Sequence, residues 1–266
     1  PFTLTETKEF LLEKGFVLSD YEIAETYMTM GGIPFYLNQL DPSFSLNTNI
    51  DNIFFKKKGP LWDEYGRLYD TLFGKESVYK DLVSLLASSR YGLRKKEIFA
   101  KLGTANNGHG SNVLQSLIDS GFVKQEIHNG VRKDKVYYLS DFYTLFYFKF
   151  VKDNQGKNEN FWSNSIENPS RRNWLGLSFE LLCKMHISEI KKALGISGVN
   201  ADIYSLTKKG DDETKGCQID LVIDRRDGVA TLIEMKFSRV EFLIDKEYFL
   251  NLNNKIEVFS KLNPKK

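Results

Sequence analysis

Apolar residues recur at helical spacing along the first third of the chain. Thr5 opens TETKEFLLEKG, which stops at Gly15, and Ser19-Asp20 opens SDYEIAETYMTM, which stops at Gly31-Gly32 ahead of Pro34. The segment GGIPFYLNQLDPSFSLNTNIDNIFF reads as a short helix, a polar loop and a further helix start, and Lys56-Lys57-Lys58-Gly59-Pro60 reads as a break or a solvated loop. The rhythm then changes. ESVYKDLVSLLASS sets Val78, Leu82, Leu85 and Leu86 on one face, GLRKKEIFAKLG closes at Gly103, and Ser111 caps SNVLQSLIDSG after the loop TANNGHG. Behind it, FVKQEIHNGVRKDKVYYLSD alternates about His128-Asn129-Gly130, and Asn-Gly between alternating runs is a strong hairpin signal. Three helices and a hairpin over residues 76–140 make the pattern of a winged helix-turn-helix.

DFYTLFYFKFV (141–151) is dense in aromatics. At helical spacing it is expected in the core, with base stacking as the other use of such a stripe. KDNQGKNEN (152–160) reads as a linker. The final part opens with the helical ENPSRRNWLGLSFELLCKMHISEIKKALG, stopped by Gly195. Two apolar strands follow, CQIDLVID (217–224) and VATLIEMKF (229–237), joined through Asp227-Gly228, and mixed helical segments fill 240–262. The expected class is multi-domain, α plus α/β. Its parts are a helical segment (1–75), a winged helix (76–140), an aromatic connector and linker (141–160) and an α/β domain (161–266).

Composition narrows the classes. At 266 residues and 41% hydrophobic there is apolar material for one large core or several small ones. No run reaches the roughly 18 apolar residues of a membrane-spanning helix, and no signal peptide is visible. Cys183 and Cys217 make neither a Cys-x-x-Cys pair nor a disulfide framework, so a cytoplasmic protein is expected. His109, His128 and His186 lie far from one another and from both cysteines, against a zinc site. The net charge is only +2, but unevenly spread: residues 1–75 carry −4, residues 76–150 carry +4, and residues 151–266 carry +2. The middle segment is therefore the one that attracts a polyanion. Beginning at Pro1 rather than Met, the chain reads as a piece of a longer protein.

The chemistry concentrates in the last two strands. Glu234 and Lys236, at i and i+2, share a face of a strand that otherwise reads as buried, and Asp220 lies on the strand before it. Charges seldom occupy buried strands unless they are paired or bind metal. Two carboxylates with a main-chain carbonyl hold a Mg²⁺ or Mn²⁺ that keeps its waters, while a neighbouring lysine orients an attacking water or offsets charge. Gln218 and Glu180, the latter on the preceding helix and a possible third carboxylate, are lesser candidates. Glu-x-Lys itself is unspecific: it occurs at 6–8, 189–191, 213–215 and 234–236, and only the last lies in an apolar strand. A buried Glu-Lys pair with Asp220 as a separate polar contact is the structural alternative.

IDLVID…GVATLIEMKFS, with thirteen residues between Asp220 and Glu234, resembles the D-x(n)-E-x-K core of the PD-(D/E)xK nuclease superfamily and its restriction-endonuclease-like fold. Ile219 stands where that superfamily often has proline. GGIPFYL resembles the GG-x-P-x-x-L element in the lid of a family of archaeal and bacterial AAA-type ATPases, grouped by their DUF234 C-terminal domain. YYLSDFYTLFYFKFV resembles their stretch between winged helix and C-terminal domain, and LSFELLC their Glu-bearing helix. The resemblance implies the C-terminal portion of such an ATPase: lid remnant, DNA-binding winged helix and metal-dependent nuclease-like domain. ATP would be bound upstream of Pro1, because G-x-x-x-x-G-K-[ST] is absent and no residue of this chain is an ATP-binding candidate.

Asp220, Glu234 and Lys236 are then the catalytic candidates, with Asp220, Glu234 and Glu180 as metal ligands. The nucleic-acid candidates are Arg94, Lys95 and Lys96, then Asn112 and Gln115 on the third helix, and Lys124, Arg132, Lys133 and Lys135 on the wing. The third helix offers no basic residue, which suits phosphate contacts without base readout. It equally suits a winged helix that packs against protein: its own ATPase core or a second copy. The rival function is an inactive nuclease fold that binds DNA or protein.

Overall fold

The computed structural model describes residues 1–89, 92–103, 108–210 and 215–264. Of the expected loop TANNGHG (104–110), residues 104–107 lie outside the described residues, as does Glu213 of the third Glu-x-Lys; Gly108-His109-Gly110 instead open α8, so Ser111 lies inside that helix and does not cap it. The chain is mixed helix and sheet. In chain order it forms α1 (Leu4–Glu13), α2 (Asp20–Met30), α3 (Pro34–Leu37), α4 (Leu46–Ile50), α5 (Glu64–Phe73), α6 (Ser77–Ala87), β1 (Leu93–Arg94), α7 (Lys95–Leu102) and α8 (Gly108–Asp119). There follow β2 (Val123–His128), β3 (Val131–Leu139), α9 (Phe142–Phe146), α10 (Lys152–Asn154), α11 (Pro169–Met185), α12 (Ile187–Ala193), β4 (Ala201–Lys208), β5 (Cys217–Arg225), β6 (Ala230–Ile233) and α13 (Lys246–Leu262). Among the described residues no helix is long and apolar enough to cross a membrane.

The chain divides into two compact units: residues 1–124 with 137–178, and residues 125–136 with 179–266. This division differs from the boundaries expected at 75, 140 and 160. The β2–β3 hairpin starts and ends in the first unit, while its tip belongs to the second.

Local chemistry explains the helices of the first unit. Thr3, rather than Thr5, caps α1 and forms a reciprocal box with Glu6; Ser19 and Glu22 do the same for α2. Helices α6, α7 and α8 close on Leu82, Val83, Leu86, Ile98, Val113, Leu114 and Leu117, joined by Phe122, Val123 and Leu139 of the hairpin. Burying each such side chain stabilises by about 1.5–3 kcal/mol before entropy is counted. The stretch 141–151 is core: Phe142, Tyr143, Phe146 and Phe150 are buried, and Phe146 meets Trp162 edge-on at 5.1 Å. The supposed linker is bound in place. Gln155 donates to the carbonyls of Phe54 (3.2 Å) and Trp62 (2.9 Å), and the Gly156 amide donates to Phe55 O.

The second unit is built on an antiparallel sheet of order β4-β5-β6. Tyr204, Leu206, Ile219, Val222 and Phe259 of α13 form one cluster. Leu221, Ile223, Ile196 and Met235 form another with Phe179, Cys183 and Ile187 of the helices before the sheet. Strand β5 is covered on both faces, which explains its near-continuous apolar run. The ladder is irregular at one place. Tyr204 pairs with Val222 and Leu206 with Ile219, so Asp220 and Leu221 of β5 oppose the single residue Ser205. That is a β-bulge, and it falls at the candidate carboxylate.

Candidate functional site

Asp220, at the bulge, is 6% exposed, and its Oδ2 accepts the Met235 amide at 2.9 Å. This bond explains why β6 ends at Ile233 instead of running to 237. The last ladder pair is Leu221–Ile233, and beyond it a side-chain carboxylate takes the amide that a strand neighbour would otherwise bond. Glu234 and Lys236 therefore sit in extended chain just past the strand. Burial, reinforced by the charge of Glu234, pushes the Asp220 carboxyl above the usual range, with the Met235 amide, Lys255 and Lys236 pulling back.

Glu234 is held on both oxygens. Lys236 Nζ lies 3.1 Å from Oε1, and Lys255 Nζ lies 2.5 Å from Oε2. Burial pulls Lys236 down, but its bond to Glu234 and that carboxylate's charge outweigh it and hold the ammonium above its ordinary value. Its Nζ also lies 5.4 Å from the Tyr248 ring centroid. Lys255 and Tyr248 are the site residues that the sequence reading missed. They lie seven apart on α13, two turns on one face. That spacing, beside a strand bearing Glu-x-Lys, was the available signal.

The lesser candidates are placed differently. Glu180 is half-buried on α11; its charge and that of Asp220 add to burial in raising the Cys183 thiol to about 11. Among the described residues, no three His, Cys, Asp or Glu side chains form a group able to hold a metal ion, so Glu180 is not gathered with Asp220 and Glu234. Gln218 pairs with Thr207 in the regular part of the ladder, two residues before Asp220 on β5 and ahead of the bulge.

The nucleic-acid candidates are split between the units. In the first, Arg94 is the N-cap residue of α7, donating its amide to Glu97 at 2.6 Å, and Lys95 lies 6.0 Å from the Phe99 ring. Lys96, Asn112 and Gln115 are exposed, and Gln115 donates to Asp119 at 2.7 Å. Lys124 is half-buried, and burial lowers its ammonium's pKa. In the second unit, Arg132 holds Asp202 in a two-pronged pair at 2.9 and 3.0 Å, Lys133 is exposed, and Lys135 approaches Gln125 at 3.5 Å.

The hairpin tip runs along the outer flank of β4. Asn129 accepts the Thr207 amide at 2.8 Å and returns a bond to the Thr207 carbonyl at 3.1 Å. Glu126 accepts the Ser205 amide at 2.6 Å. The backbone groups that an edge strand leaves open are thus taken by side chains. No protein-family model matches the chain, and neither the curated proteins nor the solved structures contain a significant match to it.

Proposed function

We propose that the second unit is a metal-dependent phosphodiester-cleaving, nuclease-like domain centred on Asp220, Glu234 and Lys236. The observation that carries this reading is the convergence of a buried carboxylate at the β5 bulge, raised in pKa, with Glu-x-Lys just past the end of the neighbouring strand β6. Chain order is compatible with it: the two expected strands, β5 and β6, lie between helices α11–α12 and α13, with β4 added at the edge of the sheet. The donors Asp220 and Glu234 are hard oxygens, which suit Mg²⁺ or Mn²⁺. When bound, such a cation would lower the pKa of a water and offset charge growing on a phosphoryl oxygen. Lys236, held protonated, acts as a cation that faces the phosphate or orients the water, not as a base. Lys255 fixes the Glu234 carboxylate from the other side.

The helical part extends the proposal. Helices α6, α7 and α8 followed by the β2–β3 hairpin, with β1 joining its sheet, follow the order expected of a winged helix. DNA is the proposed partner, through exposed Lys96, Asn112 and Gln115 with Arg94 and Lys95. Membership of the AAA-type, DUF234-bearing ATPases rests on motif order alone.

A second reading is favoured by one observation: both oxygens of Glu234 are already engaged by ammonium groups. In it the fold is inactive and serves as a DNA- or protein-binding module. Calorimetry with Mn²⁺ separates the two. We expect the wild-type chain to bind and Asp220→Asn and Glu234→Gln to lose binding while staying folded, since asparagine still offers an oxygen to the Met235 amide. Absence of binding by the wild type, together with salt-sensitive DNA retention that survives Glu234→Gln, would establish the inactive module instead.

A further inference from the structure

Ser205 occupies the one place where β4 and β5 fall out of register. Without a register partner of its own across the bulge, it also reaches β5 by its side chain: Oγ–H donates to the carbonyl of Asp220 at 2.9 Å. Ser205 is gripped from its other side too. Its amide donates to Glu126 Oε1 at 2.6 Å, and Lys184 donates to its Oγ. Lys184 also pairs with Glu126 Oε2 at 3.0 Å, with the two side chains 20% and 12% exposed. The direction of the bonds is consistent throughout. The ammonium donates to the hydroxyl oxygen, which leaves the hydroxyl proton for the Asp220 carbonyl.

From this geometry we infer that Glu126, Lys184 and Ser205 are positioning residues for Asp220, and that the hairpin tip is part of the support of the candidate site. The inference rests on the metal-dependent reading above and adds to it the elements that aim its principal carboxylate. A bulge re-aims a side chain at the expense of regular ladder pairing, and is only as rigid as whatever bonds span it. Here Ser205 Oγ at the Asp220 carbonyl bridges the bulge from β4, and on the β6 side, past the last ladder pair, the Met235 amide holds Asp220 Oδ2. With the first removed, the backbone at Asp220 has one anchor fewer and its carboxylate samples a wider range beside Glu234. Glu126 matters for the same reason at one remove, since it holds the serine that holds the bulge. Glu126 lies on β2, in the hairpin expected to serve as the wing, so a surface expected to meet DNA has a second use inside the α/β unit. Groups that hold a metal ligand in place typically change metal affinity by about 10- to 100-fold when removed.

The test is Mn²⁺ calorimetry on the full chain, with the thermal midpoint measured on every sample. Ser205→Ala is expected to weaken Mn²⁺ binding about tenfold with little change in midpoint, and Ser205→Thr, which restores a hydroxyl, to bind nearly as the wild type does. Should Ser205→Ala fail to fold, Glu126→Ala and Glu126→Gln decide instead: glutamine keeps an oxygen for the Ser205 amide, so the alanine variant must bind more weakly. Wild-type affinity in Ser205→Ala, or equal affinity in the two Glu126 variants, overturns the inference while leaving the metal site standing. Failure of the wild type itself to bind Mn²⁺ overturns both.

Discussion

Arg171 shows how far a residue's role can depart from its local sequence. In ENPSRRNW it stands in the first turn of α11, where a cation opposes the helix dipole and is expected to point to water. It is instead 2% exposed, donating to Glu25 Oε1 at 2.5 Å, Asn47 Oδ1 at 2.8 Å and the Trp162 carbonyl at 2.7 Å, with its guanidinium 3.8 Å from the Trp162 ring centroid. Glu25 is as deeply buried, so neither charge has water to fall back on. Arg171→Met strands the carboxylate and is expected to destabilise the first unit by about 3–5 kcal/mol, read as a fall in the urea midpoint. The double variant Arg171→Met, Glu25→Leu is expected to recover much of that loss, because an apolar pair of similar volume removes the uncompensated charge. A single variant as stable as the wild type would show that the network contributes nothing.

Among the elements, the β2–β3 hairpin departs furthest from its expected part. Its turn was readable, because Asn129 (φ 48°) and Gly130 (φ 76°) both take the positive φ that an Asn-Gly turn supplies. Gly130 is further required by space, since a Cβ there would lie 2.9 Å from the Tyr204 ring. Its partner was not readable: the residues that take the β4 flank, Glu126 and Asn129, look like ordinary hairpin polar residues until the sheet is in place. Asn129→Gly keeps the turn and deletes both bonds to Thr207. At about 0.5–1.5 kcal/mol per bond, it should speed exchange of the Thr207 amide hydrogen by about one to two orders of magnitude. Unchanged exchange would mean the flank is closed by something else. The same limit applies at the site. Asp220, Glu234 and Lys236 stood out because charge is conspicuous in an apolar strand. Lys255 did not, because one lysine on an amphipathic helix looks like every other surface cation. The end of β6 at Ile233 was hidden for a third reason, since it is set by the side chain of Asp220, fourteen positions upstream of Glu234, taking the Met235 amide.

At the scale of the whole molecule, two units with separate hydrophobic clusters predict unfolding that is not two-state. Leu117→Ala should lower one calorimetric transition and Leu206→Ala the other, each by about 2–5 kcal/mol of local stability. A single transition lowered equally by both would show one cooperative body. The mixture of helix and sheet was legible from periodicity, and so were most helices. The partition was not, because composition marks 152–160 as a linker while Gln155 and Gly156 are tied to the backbone of Phe54, Trp62 and Phe55. The sealed flank of β4 has a practical corollary for anyone who divides this protein. Scissors applied at residue 160, where the polar stretch invites them, would strip β4 of the side chains that blunt it. Strand β6 has no strand on its outer side among the described residues. The sheet of the excised piece would then have two bare margins, able to recruit strands from its own copies on either side and build a fibre, where the same sheet in the uncut chain offers one margin among the described residues and stops.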